Sequence, residues 1–358
     1  MRARWDVCIQ HRDEEATQFF AAYLKDSTRQ VLCVTGAGFD PQATEVARRL
    51  AASTKRIRGY FIREDRPRPD PALVARADRN EQQLAQLIPD HSVEHVPIFS
   101  PDAQAVVGAR NIVRAFGKID LSKVTDIFLD MSALSLGVSF PLARVMFDRA
   151  NAGPYPNVHL VVTTRSSIDH AIRAELIDRL QFIPGFAQDA NLEGQSERTK
   201  LWLPQLTPHR TGALELIHTV LQPGETCPIV PFPARNPRAV EELVEDYQAF
   251  INDPWRVDDR DFVFAAEDDP LDLYRTILRV DELRRDTYAS SGGSVTMLSP
   301  VGSKAMAAGA LLAALERPLP VVYVETERYI AEGNAAPLGD VGVVHLWLTG
   351  EAYPVAPS

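Results

Sequence analysis

The stretch SPVGSKAMAAG, residues 299–309, sets Gly302, Ser303 and Lys304 where a short apolar run, SVTML, hands over to a segment of helical composition, KAMAAGALLAALE. Glycine lets a backbone approach a ligand closely, and serine can cap a helix. The unpaired N–H groups and the dipole at a helix start attract negative charge. A lysine in the first turn opposes that dipole unless an anion is near. The chemistry this pattern suits is anion binding, and its alternative is an ordinary capped turn with a solvated lysine. No glycine stands five residues before Gly302, so the phosphate loop G-x-x-x-x-G-K-[ST] is incomplete and a Walker-type NTPase is disfavoured.

Four other stretches place chemistry at the ends of apolar runs, where open α/β sheets bind ligands. In TGAGFDPQA, Gly36 and Gly38 permit close backbone approach, and Asp40 is expected to cap a helix starting near Pro41. Pro41 stands where the dinucleotide fingerprint needs its third glycine, and no acidic residue closes the next run, RIRGYFI. A tight turn is the alternative there. In DMSALS, Asp130 and Ser132 stand at a strand end. Residues 133–137 approximate a nucleophile elbow around Ser135, which comes too late after the strand, so a capping role is expected. ETERY carries Glu325, Glu327 and Arg328, suited to ribose hydroxyls or to pairing with one another. PFPARNPR carries Arg235 and Arg238, whose planar forks suit phosphate or carboxylate, or else stay solvated.

His91 and His95 lie four apart on a strand-like segment, and His170, His209 and His218 stand alone as bases without a nucleophile, so neither metal binding nor acid–base catalysis is indicated. No cofactor is specified by any of these stretches.

The elements that must position these residues alternate along the chain. QVLCVTG, RIRGYFI, VEHVPIF, TDIFLDM and NVHLVVTT read as strands in the first half, and CPIVPF, DFVFAA, SVTML, LPVVYVET and VGVVHLWL in the second, with helical periods between. This predicts an α/β fold of two Rossmann-like units with mainly parallel sheets, pseudo-duplicated. The boundaries expected are an N-terminal unit over 1–185, a Gly/Gln/Asn/Pro-rich linker over 186–210 and a C-terminal unit over 211–358.

With 358 residues, 45% apolar and 24% charged, the chain can bury an ample core. A net charge of −10 gives no support to direct DNA binding. Three scattered cysteines, with no C-x-x-C, read as reduced thiols in a cytoplasmic protein. The opening MRARWDVCIQHRDEE holds no apolar run of signal-peptide length, and the longest apolar stretch, around Ala305 to Leu315, is too short to span a membrane.

SVTMLSPVGSKAMAAGALLAALERPLPVVYVET resembles the strand, Gly-Ser/Thr-Lys turn, small-residue helix and strand of the Rossmann-like ligand-sensing domains of CRISPR-associated proteins, the CARF family. Gly302, Ser303 and Lys304 match the end of that family's turn, while Pro300 and Val301 depart from its preceding glycine. The resemblance implies a nucleotide-like anionic ligand and a role in prokaryotic antiviral defence, with signalling to a protein partner or through a homo-oligomer. It does not require catalysis by the chain itself, and it sets DMSALSLGVSFPLARVMF as the equivalent unit of the first half, with Ser132 at its rim. A nucleotide- or phosphosugar-processing enzyme with Asp130, Ser132 or Glu325 in polar roles, and a structural subunit, are the alternative expectations.

Overall fold

A computed structural model describes residues 3–164, 172–186, 199–208, 210–236, 238–333 and 341–353. From the N-terminus, β1 (Gln10–Arg12) leads into α1 (Asp13–Tyr23), β2 (Val31–Gly36), α2 (Glu45–Ser53), β3 (Ile57–Asp65), α3 (Pro71–Leu87), β4 (His91–Pro97) and α4 (Gly108–Phe116). Then come β5 (Asp126–Asp130), α5 (Leu136–Ala152), β6 (Asn157–Thr163), β7 (Ile172–Phe182), β8 (Thr199–Pro204), α6 (Thr211–Leu221), β9 (Glu225–Thr226) and β10 (Ile229–Pro231). The chain continues with α7 (Ala239–Asn252), β11 (Val263–Ala265), α8 (Pro270–Tyr288), β12 (Ser294–Ser299), α9 (Lys304–Glu316), β13 (Val322–Ala331) and β14 (Val343–Thr349). Helices α3 and α8 both open on Asp-Pro: Asp70 and Asp269 accept bonds from the first-turn amides, and the proline supplies a preset φ at a position whose N–H needs no partner.

Two compact units result, one of Cys8–Glu175 with Thr326–Ser358, the other of Met1–Val7 with Leu176–Glu325. The first holds a seven-stranded sheet in the order β1-β14-β6-β5-β2-β3-β4. Its strands β2 to β6 are mutually parallel, and β14 and β1 add antiparallel pairings at one edge. Strand β2 is buried throughout as VLCVTG, the continuous apolar run expected of a parallel strand covered on both faces. In the second unit β8 pairs in parallel with β12 and β9, and β10 with β11. Single parallel bridges, Gln205 to Ile229 and Leu298 to Val321, extend that order to β11-β10-β8-β12-β13.

Counted along the chain, the parallel strands of both units follow the doubly-wound order 3-2-1-4-5. The fold is α/β, built from two Rossmann-like arrangements. The expected boundaries differ from the compact units in several places, beginning with Met1–Val7 and residues 176–185, expected in the N-terminal unit but belonging to the second. Residues 186–210, expected as a linker, contain β8, the central strand of the second unit. VGVVHLWL, expected in the C-terminal unit, instead returns to the first unit as β14 against β6.

Each unit has its own apolar core. Phe20, Cys33, Leu50, Phe61 and Phe128 anchor the first, and Trp202, Leu214, Tyr247, Trp255 and Met297 the second. Helix α9 is buried from Ala305 to Leu315, in keeping with a sequence apolar on every face. Its Gly309 meets α8 so closely that a Cβ would lie 2.4 Å from the Pro270 carbonyl oxygen.

Candidate functional site: two strand-end rims

The doubly-wound order reverses between strands 1 and 4, which opens a crevice at their carboxyl ends. In the first unit those strands are β2 and β5, and in the second β8 and β12. The SPVGSK turn follows β12, while Gly36 and Asp130 end β2 and β5, so the leading candidates of both halves fall at these two reversals.

In the first unit the rim is knitted by buried polar bonds. Asp130, fully buried, accepts from Thr35 Oγ1 at 2.9 Å, from the Ser132 amide at 2.9 Å and from Ser132 Oγ at 2.5 Å. Ser132 Oγ in turn accepts from the Thr163 amide at 2.8 Å, tying the end of β5 to β6. A buried carboxylate satisfied in this way holds loops in place. Burial, followed by the charge of Asp130, pushes the Cys33 thiol well up, leaving it inert. Gly36 backs onto the same loop, where a Cβ would sit 2.6 Å from the Ala133 carbonyl oxygen.

Gly38 and Asp40 are held by one side chain: Asn80 Nδ2 donates to their carbonyl oxygens at 2.8 and 2.7 Å. Asp40 does not cap the next helix. Its Oδ1 accepts from the Gln42 amide at 2.8 Å, and this turn delays α2 to Glu45 behind Thr44. The expectation that no acidic residue closes the following strand is also corrected, because β3 runs on through Arg63-Glu64-Asp65. Glu64 Oε1 accepts from the Ser135 amide at 2.7 Å and thereby caps α5, while Glu64 Oε2 pairs with Arg66 at 3.0 Å. Ser135 occupies the N-cap position, and among the described residues no hydrogen bond joins its hydroxyl to a base.

In the second unit the rim gathers Gly302, Ser303 and Arg235. Gly302 N–H donates to Gln205 Oε1 at 3.2 Å, and Gln205 Nε2 donates to the Met306 carbonyl at 3.2 Å. Ser303 caps α9 by accepting from the Met306 amide at 3.2 Å, and its hydroxyl donates to the Glu267 carbonyl at 2.9 Å. The Arg235 amide donates to the Glu267 carboxylate at 2.8 Å, and its guanidinium pairs with Asp268. Lys304 opens α9. Arg238 stands apart, exposed at the N-cap of α7 with its amide on Asn236 Oδ1 at 3.1 Å.

Glu325 does not stand at a strand end. Strand β13 continues to Ala331, so Glu325 is buried within it and accepts from Tyr323 Oη at 3.0 Å. Glu327 and Arg328 do not pair with one another. Glu327 bonds Arg68 at 2.7 Å and Arg328 pairs with Glu175. The apolar run LPVVYV marks only the first half of that strand, which is why its polar continuation reads as a loop.

His91 Nδ1 lies 3.0 Å from the Ile88 carbonyl and His95 Nδ1 3.2 Å from Asp65, whereas His218 packs beside Trp202 and Trp255. His170 and His209 lie outside the described residues. Among the described residues no cluster suits a metal ion, and no helix is long and apolar enough to cross a membrane. The residues that sequence reasoning missed are Gln205, Asn80 and Glu64. An isolated Gln or Asn carries no local signal, while Glu64 is visible once β3 is extended.

No family model matches the chain, and no curated protein matches it. Among solved structures it is similar to the crystal structure of the cytoplasmic domain of a prokaryotic cation chloride cotransporter, at 9% identity over 84% of this chain and 96% of that one. The TM-score is 0.25, a likeness too shallow to carry an argument about function.

Proposed function

We propose that the chain is a cytoplasmic, CARF-like binding protein that senses a nucleotide-like anion at the SPVGSK rim and signals to a protein partner or through a homo-oligomer in prokaryotic antiviral defence. The observation that carries this reading is the position of Gly302-Ser303-Lys304. The turn stands at the strand-order reversal of its unit and opens a buried helix, with Lys304 in the first turn. Arg235, tied to the same rim by its amide on the Glu267 carboxylate, brings a second cation, its guanidinium there paired with Asp268. Calorimetric titration with mono-, di- and cyclic oligonucleotides, followed by chromatography of the recovered ligand, tests it. The reading predicts saturable binding with the ligand returned intact. Turnover would favour the nucleotide- or phosphosugar-processing enzyme, with Asp130, Ser132 or Glu325 in polar roles.

One observation favours a structural subunit instead. The Gly302 amide and the Ser303 hydroxyl already have partners in Gln205, Met306 and Glu267, so an incoming anion must displace Gln205 to reach the Gly302 amide. A chain that binds no nucleotide in the titration would fit that reading.

A further inference from the structure

Across one face of the seven-stranded sheet three imidazoles stand in line. His11 on β1 and His345 on β14 are direct cross-strand partners, with Nδ1 to Nδ1 at 3.1 Å. His345 Nε2 lies 2.9 Å from Nδ1 of His159 on β6, and His159 Nε2 reaches Asp126 Oδ1 on β5 at 3.4 Å. His345, His159 and Asp126 are fully buried, whereas His11 is half-buried on the edge strand.

An ionised carboxylate only accepts, so donation along the row has one direction. Asp126 takes the Nε2 hydrogen of His159, His159 Nδ1 then accepts from His345 Nε2, and His345 Nδ1 accepts from His11 Nδ1. The row is complete with all three imidazoles neutral. The counter-charge at the row's inner end is Asp126, which also accepts from Tyr23 Oη at 2.8 Å and Asn157 at 3.1 Å and lies 3.6 Å from Arg29. Arg29 is shared with Glu351 at 2.5 Å. On α1, Glu15 is the charge acting on His11. Around His345 the packed rings of Phe19, Phe20 and Phe128 offer none. A proton on His159 can be held beside Asp126 and one on His11 near Glu15, but one on His345 has only aromatic rings and the other imidazoles around it.

We propose that this imidazole row is a proton-operated latch that holds β1 and α1 on the sheet at neutral pH and releases them on acidification. Phe19 of α1 stacks on His11 at 4.2 Å and on His345 at 4.7 Å, so charge in the row acts directly on the helix covering it. Strand β1 is short, pairing through three residues with β14 alone. Met1–Val7, just before it, belongs to the other unit, so the latch acts on a stretch by which the chain passes from one unit into the next.

Burial lowers all three imidazoles below their ordinary value of 6.5, against the pull of Asp126 at His159 and of Glu15 at His11. The latched state therefore binds fewer protons than the released one. Its stability is full above about pH 6.5 and falls as pH drops below that, by up to about tenfold in the opening equilibrium per pH unit for each imidazole.

Hydrogen exchange on the full chain, corrected for intrinsic rates, tests the latch by comparing residues 10–23 with residues 31–36 between about pH 7.5 and pH 5.5. The wild type is expected to lose protection over 10–23 relative to 31–36 by at least about tenfold on acidification. His345→Phe, which keeps an apolar ring and removes the middle one of the three titrating groups, is expected to show a loss smaller by up to about tenfold per pH unit. A flat ratio in the wild type, or the same loss in His345→Phe, would overturn the proposal. Should His345→Phe not fold, His11→Gln decides: a loss smaller by up to about tenfold per pH unit supports the latch, and an unchanged loss overturns it.

Discussion

Gln205 braces Gly302 from the neighbouring strand end: it accepts the Gly302 amide at 3.2 Å and gives its own Nε2 hydrogen to the Met306 carbonyl at 3.2 Å. A single buried side chain thus sets both the turn after β12 and the first turn of α9. Gln205→Ala leaves the Gly302 N–H without its acceptor, and the expected loss is about 1–3 kcal/mol in urea unfolding. Gln205→Glu keeps the acceptor for Gly302 but places a carboxylate against the Met306 carbonyl, and is expected to be at least as destabilising.

Gly309→Ala separates two opposed effects. In an unobstructed helix the change gains up to about 1 kcal/mol from propensity. Here the new methyl would lie 2.4 Å from the Pro270 carbonyl oxygen, backbone that cannot turn aside, and overpacking of this kind costs about 1–3 kcal/mol. The net outcome expected is destabilisation, read as a lowered denaturation midpoint. A stabilised variant would mean that α8 and α9 pack less closely than described.

Glu64 serves two groups, the Ser135 amide at 2.7 Å and Arg66 at 3.0 Å, and the Arg66 side chain is only 7% exposed. Glu64→Ala is expected to cost about 2–3 kcal/mol, because the α5 cap and the partner of a nearly buried cation go together. Glu64→Gln retains an acceptor for Ser135 and should lose less. Equal losses in urea unfolding would assign the whole effect to the ion pair.

Glu225 gives a pH dependence in the second unit. Burial raises its carboxyl, but the bonds from Arg284 at 2.5 Å and Tyr288 at 2.9 Å prevail and hold it below its ordinary 4.5. The folded state favours the ionised form, so the contribution is present above about pH 4.5 and is lost as pH falls through the lowered value. The carboxylate is partly exposed, which limits the pair to about 1 kcal/mol. The stability gap between wild type and Glu225→Gln should therefore close as pH falls below about 4.5. A gap independent of pH would point to packing instead of charge.

Strands β2, β5 and β6 of the first unit were legible because strands covered on both faces read as unbroken apolar runs, as VLCV, IFL and LVV do. Strand β8 was not, since its apolar core LWL is only three residues long and sits at the end of a polar, aperiodic segment. The membership of β14 is a tertiary choice: VVHLWL reads the same whether it pairs within its own half or returns to β6. The ends of β3 and β13 were cut short where apolar residues give way to Arg-Glu-Asp and Glu-Thr-Glu-Arg, although ladder pairing continues through Asp65 in β3. Gly36, Asp130 and the SPVGSK turn lie at strand ends, as glycine and capping residues suggest, whereas ETERY continues β13. What holds them, Asn80, Gln205 and Glu64, comes from elements distant in sequence. The imidazole row left one trace, the motif Val-His-Leu in both β6 and β14, where a histidine amid apolar neighbours needs a buried partner.

Thermal unfolding of wild type and Lys304→Ala against mono-, di- and cyclic nucleotides tests the anion-binding reading of the SPVGSK rim most directly. A ligand at 100 times its dissociation constant adds about 2.7 kcal/mol to the folded state, a shift of several degrees that is easily resolved. One class of nucleotide is expected to stabilise the wild type and to leave Lys304→Ala unmoved. Equal stabilisation of both proteins, or of neither, would contradict it.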